Sequence, residues 1–335
     1  MKRILLIATG GTIVSQDKGR GLEPEIGGGE LLDFIPEISG KYRIVVQQIF
    51  NIESSDIRPD HWYMIVQAIK ENYEKYDGFV VVHGTDTLAY TSSALSYMIQ
   101  NSRKTIVVTG SQYPIDYRVT DAVRNLHDSC IFAAESEMPG VYVVFDGKAM
   151  LGNHVKKVRS KAFKAFESMN YPDAAIIREG IVFRYYKPLS TNETVKFSDK
   201  LEESIFLLKF YPGIQPEHYK FVEEHFRVVV MEGYGAAGIP VSFMPLFQKW
   251  YDKGIIMAVT TQVMYDGSDL EVYTVGKAMV EKFQVLQGFD MTLESVITKL
   301  MWIAGMTDDF TEIKEIFYRP IQEDINCFRH TGVKE

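Results

Sequence analysis

Apolar positions follow two alternating rhythms along this chain. Unbroken apolar runs over 4–8, 79–82, 105–108 and 141–144 have the length and composition of strands buried on both faces. Residues 42–49 form a further strand candidate. Between these runs the spacing becomes helical. Trp62, Ile65, Val66, Ile69 and Tyr73 share one face of a helix opened by Pro59. Leu88, Thr91, Ser92, Leu95 and Ile99 repeat the pattern, as do Leu126, Cys130 and Ile131 within 121–134. A short helix is expected over 30–38. Strands alternating with helices predict an α/β fold, with a mostly parallel, doubly wound sheet.

The rhythm fades after Phe183 into a polar stretch containing Lys187-Pro188-Leu189-Ser190-Thr191-Asn192. It resumes with strands over 205–208, 228–231 and 255–259, and helices over 216–226, 293–303 and 311–318. The expected organisation is a large domain over 1–183, a connection over 184–204, and a smaller α/β C-terminal domain over 205–335. Residues 15–29 are rich in glycine and charge, and a loop of that length next to the first strand is a candidate lid.

Composition narrows the function. The chain has 335 residues, 46% of them hydrophobic, enough for a sizeable core. Its formal charge of −8, from 36 basic and 44 acidic side chains, argues against a nucleic-acid partner. The only local exception is the basic cluster Lys156, Lys157, Arg159, Lys161 and Lys164. Two cysteines, Cys130 and Cys327, lie in no CxxC motif, so neither a disulfide framework nor a thiolate zinc site is expected. No HExxH motif occurs and the seven histidines are scattered, so no metal or cofactor is expected. The apolar start is short and enters Thr9-Gly10-Gly11-Thr12 without a signal-type cleavage site. No segment approaches the ~20 apolar residues that span a bilayer. A cytoplasmic protein without a membrane partner is the expectation.

Candidate chemistry gathers where strands end. Ligands of open α/β sheets bind beyond the carboxyl ends of the strands. Three such ends carry hydroxyls: Thr12 after Gly10-Gly11, Thr85 within His83-Gly84-Thr85-Asp86-Thr87, and Ser111 after Gly110. The polar turn Glu53-Ser54-Ser55 belongs to the same rim. One such hydroxyl is explained by a turn or a helix cap; four converging polar turns point to a site. A threonine nucleophile needs a proton acceptor and a group to orient it. Thr85, Asp86 and Lys157 can serve together, although spacing alone makes Lys157 a surface lysine. His83 reads as a packed scaffold residue. Phosphate-loop, dinucleotide and GxSxG motifs do not occur.

The two stretches Ala8-Thr9-Gly10-Gly11-Thr12-Ile13 and His83-Gly84-Thr85-Asp86-Thr87 resemble the paired signatures of bacterial-type L-asparaginases. Supporting blocks are Ser54-Ser55-Asp56, Val108-Thr109-Gly110-Ser111, Met150-Leu151-Gly152-Asn153 and Glu232-Gly233-Tyr234-Gly235-Ala236-Ala237-Gly238. The likeness runs over nearly the whole chain. Ser55, where secreted members carry glutamine, places it nearer the cytoplasmic type I branch. The resemblance implies hydrolysis of L-asparagine to L-aspartate and ammonia, without cofactor, through an ester on Thr12. Thr85, Asp86 and Lys157 match the triad-like group of the family. The resemblance puts the substrate α-ammonium on Asp86 and its α-carboxylate on Ser54, Ser55 and adjacent backbone, with Glu53, Gly84, Thr85 and Ser111 also lining the site. It implies a homodimer or homotetramer in which Asp266, Asp269 or Glu271 of a partner reaches the site. Leu22 stands where many relatives carry a lid tyrosine. Two rivals remain: an ammonia-supplying component of a tRNA-dependent amidotransferase, whose usual extra N-terminal domain is not expected here, and a non-catalytic amide-binding module.

Overall fold

The structure, a computed structural model, describes residues 1–17, 22–24, 28–187 and 192–326. It divides into two compact units, Met1–Asp199 and Lys200–Glu335.

The first unit is built on an eight-stranded sheet. Gly78–Val82 lies between Arg3–Gly10 and Thr105–Thr109. Arg43–Ile52 flanks the first of these and Gly140–Phe145 the second, and all five strands run parallel. Successive side chains of a strand point to opposite faces. Leu6, Val80, Val82 and Val107 therefore pack on Leu126, Cys130 and Phe132 of the helix Ala122–Glu135. Against the same sheet also lie the helices Pro59–Asn72 and Leu88–Met98, joined by the hydrogen bond Trp62 Nε1–H to Thr91 Oγ1 (2.9 Å). Covered on both faces, the central strands can be apolar throughout. Each fully buried valine of Gly78–Val82 contributes about 1.5–3 kcal/mol.

Beyond Gly140–Phe145 the sheet changes character. Lys148–Leu151, Ala175–Arg178 and Ile181–Arg184 continue it by antiparallel pairing. Between them the short strands Val155–Lys157 and Phe166–Ser168 pair antiparallel, with Lys157 opposite Phe166. The mostly parallel sheet expected from the alternation is present, and this antiparallel flank is added to it. Lys196–Phe197 pairs with Ile99–Gln100, inside the stretch expected as a connection, of which 188–191 lie outside the described residues.

The second unit is a smaller parallel sheet in chain order: Ile205–Lys209, Val228–Gly233, Ile256–Thr261 and Leu286–Gln287. Val229, Met231, Phe243, Phe247 and Trp250 lie in its core.

Two expected helices are corrected. The segment over 30–38 is a 3-10 stretch, Gly28–Phe34, followed by a separate helix, Pro36–Lys41. Pro36 has no N–H to continue the first and a ring suited to opening the second. The helix over 216–226 is a 3-10 turn, Pro216–Tyr219, and a single α turn, Val222–His225. Tyr219, Phe221 and Phe226 all contact the Phe206 ring. One continuous helix points positions 219 and 221 to nearly opposite sides.

Candidate active site

Four chain turns meet at the carboxyl ends of the parallel strands. Gly11 donates its N–H to Ile52 O (3.1 Å), which ties the end of the first strand to the turn after Arg43–Ile52. A Cβ on Gly11 would collide with the Gly84 backbone, and a Cβ on Gly84 would lie 2.6 Å from the Ser54 side chain. Such backbone contact is open only to glycine. Gly11 is also left-handed, at φ +83°. Thr12 and Thr85 thus stand next to the point where the Gly10-Gly11 and His83-Gly84 turns touch. Thr12 begins a 3-10 turn, Thr12–Val14, and is half-buried, whereas Thr85 is buried.

Further bonds lock the turns. Asp86 N–H donates to Ser54 Oγ (3.2 Å), and Thr87 Oγ1–H donates to Ser54 O (2.7 Å). His83 N–H donates to Thr109 O (2.8 Å), which joins the strand carrying Ser111. Ser55 is exposed. Ser111 is buried, and its hydroxyl donates to Tyr113 O (2.5 Å).

Lys157 closes the site from the antiparallel flank. Its ammonium donates to Thr85 Oγ1 at 2.8 Å and to Asp86 Oδ1 at 2.6 Å. The lysine side chain is 18% exposed and the aspartate 70%. A positive charge is thus held beside a buried hydroxyl and steadied by a carboxylate that opens to solvent.

Two neighbours have displaced proton affinities. Burial raises the Glu53 carboxyl above the ordinary glutamate range, and the carboxylates of Asp86 and Asp56 push it further. Burial lowers His83 to about 4. Its hydrogen bonds run one way: Trp62 Nε1–H to Thr91 Oγ1, Thr91 O–H to His83 Nε2 (3.0 Å), His83 Nδ1–H to Gly84 O (2.7 Å). This chain suits a neutral imidazole and fixes Gly84 from behind. Among the described residues no group of three His, Cys, Asp or Glu side chains is arranged to hold a metal.

Sequence reasoning does not reach Gln112 and Asp121. The Thr85 hydroxyl donates to Gln112 Oε1 (3.2 Å), and Asp121 accepts the N–H groups of Gln112 and Tyr113. Their one available signal is the position of Gln112 directly after Ser111 at a strand end. Seven of the fifteen residues of the expected lid, 18–21 and 25–27, fall outside the described residues, as do the side chains of the rest, Leu22 among them. In the second unit, Asp269 accepts from Glu271 N–H (3.1 Å), Glu271 accepts from Gln287 (3.1 Å), and Asp266 is exposed.

Comparisons with known proteins converge. A family profile described as asparaginase, N-terminal, matches residues 3–190, and one described as glutaminase/asparaginase C-terminal domain matches 204–317. An L-asparaginase from Thermococcus kodakarensis is 39% identical over 329 residues, covering 96% of this chain and 99% of that protein. A component of the glutamyl-tRNA(Gln) amidotransferase from Pyrococcus abyssi is 34% identical over 331 residues, covering 94% of this chain and 75% of that protein. Among solved structures, the thermostable L-asparaginase from T. kodakarensis superposes with a TM-score of 0.89 at 38% identity. L-asparaginase I from Vibrio cholerae superposes at 0.87 with 26% identity. Each pairing covers 97% of this chain and 99% of the other.

Proposed function

Since this chain belongs to the asparaginase family, we propose that it hydrolyses L-asparagine to L-aspartate and ammonia through an ester on Thr12. The observation that carries the reading is the pair of bonds from Lys157 to Thr85 and Asp86, beside the contact of Gly11 with Gly84.

In this reading Thr12 Oγ attacks the side-chain amide carbon. The C–N bond breaks, the nitrogen takes up the proton that the Thr12 hydroxyl gives up and leaves as ammonia, and Thr12 is left acylated. Water then attacks the ester, aspartate departs, and Thr12 regains its hydroxyl. Backbone N–H groups at the Thr12 and Thr85 turns take the developing oxyanion. Preorganised donors of this kind usually supply the largest share of such a rate. The Lys157 charge stabilises the negative charge that passes through Thr85.

Glu53 and Asp86 suit the α-ammonium. Burial and the Asp86 carboxylate both make ionisation of Glu53 harder, and a cation between the two carboxylates relieves that repulsion. Ser54, Ser55 and nearby backbone receive the α-carboxylate, and Gly84 and Ser111 complete the wall. Asparagine is preferred to glutamine, since Ser55 is short. The working assembly is a homodimer or homotetramer in the cytoplasm, completed by an acidic side chain of a partner copy from the 266–271 region. Among the described residues no helix is long and apolar enough to cross a membrane.

The test is ammonia release over a panel of amides, with Thr12→Ala as control. Steady release from asparagine, abolished in the variant, is expected. Equal release by the variant overturns the nucleophile. No release by the chain alone, restored by a stoichiometric partner protein and tRNA, supports instead the role suggested by the amidotransferase relatives. Binding without turnover under either condition leaves an amide-binding module.

A further inference from the structure

We propose that Gln112 is a positioning residue of this site: its side-chain carbonyl fixes the direction of the Thr85 O–H bond and thereby keeps the Thr85 lone pairs turned to the Lys157 ammonium. The inference rests on the asparaginase reading above.

The hydrogen bonds decide which end of the amide faces Thr85. Gln112 Nε2 points at two backbone carbonyls, Ala162 O at 3.2 Å and Arg159 O at 3.5 Å. An amide nitrogen only donates and a carbonyl only accepts, so this end of the side chain is assigned by its partners. That leaves Oε1, an acceptor, 3.2 Å from Thr85 Oγ1. The Thr85 proton must therefore point at Gln112, and the lone pairs of Thr85 face Lys157. Lys157 in turn donates to Thr85 and Asp86, as an ammonium paired with that carboxylate does.

The residue is itself held from behind. Both carboxylate oxygens of Asp121 accept Gln112 N–H, at 3.0 and 3.1 Å, and Oδ1 also accepts Tyr113 N–H at 3.2 Å. Asn125 Nδ2 donates to Asp121 Oδ2 (3.1 Å) and to Gly110 O (3.0 Å). The turn after Thr105–Thr109 is thus pinned to the start of the helix Ala122–Glu135. These bonds reach the site through Thr85, the side chain that Gln112 and Lys157 share.

One consequence follows for proton movement. A charged Lys157 has no lone pair, so it takes the Thr85 proton only after giving up one of its own, and that transfer also requires the Thr85 O–H bond to swing away from Gln112. The Gln112 carbonyl opposes that swing and holds the resting site with a neutral threonine and a charged lysine. An apolar side chain at 112 removes the restraint. A carboxylate there keeps an acceptor and adds a charge that favours the ammonium.

The experiment compares Gln112→Met and Gln112→Glu with the wild type, in asparagine turnover against pH and in the NMR titration of the Lys157 side chain, which needs no turnover. Gln112→Met is expected to lose about tenfold in kcat with KM within about twofold. Its Lys157 titration and the matching limb of the pH profile move down by about half a pH unit, and those of Gln112→Glu move up by at least as much. Should Gln112→Met not fold, the sign of the Gln112→Glu shift carries the test. Lower activity with an unmoved titration and pH profile in both variants means a purely structural role and overturns the proposal. Opposite titration shifts in a chain that releases no ammonia from asparagine sink the asparaginase reading and leave the Gln112 assignment intact.

Discussion

Thr85 and Lys157 touch across 72 positions of sequence, and the chain delivers them by unlike means. Thr85 follows directly from the buried strand Gly78–Val82, whose neighbours on both sides run parallel to it. Any side chain just beyond such a strand is delivered to the rim where ligands bind. Lys157 ends a three-residue strand in the antiparallel flank, opposite Phe166, and has no such guarantee. Regular sheet geometry therefore builds the walls of the site, while irregular hairpins at its flank supply the charge.

Removing that charge is the sharpest way to break the comparison. Lys157→Met keeps most of the stem and deletes both donated bonds. If the flank serves only chemistry, kcat should fall by about a thousandfold or more while the thermal midpoint moves little. Ammonia-release kinetics beside a melting curve separate the two. Near-wild-type turnover would refute the role of Lys157, and loss of the fold would show that the flank is held together by its site.

The same contrast explains what can be read from the sequence. The runs over 79–82 and 105–108 announce buried strands, and the hydroxyls at Thr12, Thr85 and Ser111 follow strand ends, so their meeting follows from sheet topology. Lys157 has no comparable cue. Its partner strand, Phe166–Ser168, is three residues long, and only the family resemblance lifts the lysine above a surface residue. Gln112 and Asp121 escape notice because their roles depend on bonds between side chain and backbone across a turn, which leave no periodic trace. The segment over 216–226 departs from its expected helix because helical spacing ignores Phe206, the ring on which its aromatics converge.

Damage to the regular half should fall first on stability. Gly11→Ala puts a methyl group into the Gly84 backbone at a left-handed position. Overpacking and the unfavourable φ together should cost about 3 kcal/mol. Urea unfolding measures the loss directly. A variant as stable as wild type would mean that the two turns part without penalty and that their contact does not set the site.

His83 tests the regular half through pH. Its folded value near 4 lies below the ordinary 6.5, so between them the unfolded chain binds a proton that the folded chain does not. Stability is therefore whole above pH 6.5 and is lost as pH falls towards 4. The slope from this one group approaches about 1.4 kcal/mol per pH unit. His83→Gln can still donate to Gly84 O and accept from Thr91 without titrating. Its unfolding free energy, followed from pH 7 to 4.5, should lack this slope. An unchanged slope would show that other groups carry the acid sensitivity.

The smallest effect expected is at Glu53, where the two halves meet through Asp86. Here the sign reverses. Burial and neighbouring carboxylates make the folded chain keep this proton to a higher pH than the unfolded chain does. Stability is therefore fullest at and below the ordinary glutamate range and declines as pH rises through the raised value. Glu53→Gln removes that decline, which is worth on the order of a few tenths of a kcal/mol at so partly exposed a site. The same substitution removes one of the two charges proposed to receive the α-ammonium, so KM for asparagine should rise by about two- to fivefold near neutral pH. In the wild type KM should climb as pH falls through the Glu53 titration, whereas in the variant it should stay flat there. Parallel KM profiles for the two proteins would remove Glu53 from the substrate pocket and leave Asp86, on the arm that Lys157 holds, as its only proposed carboxylate from this chain.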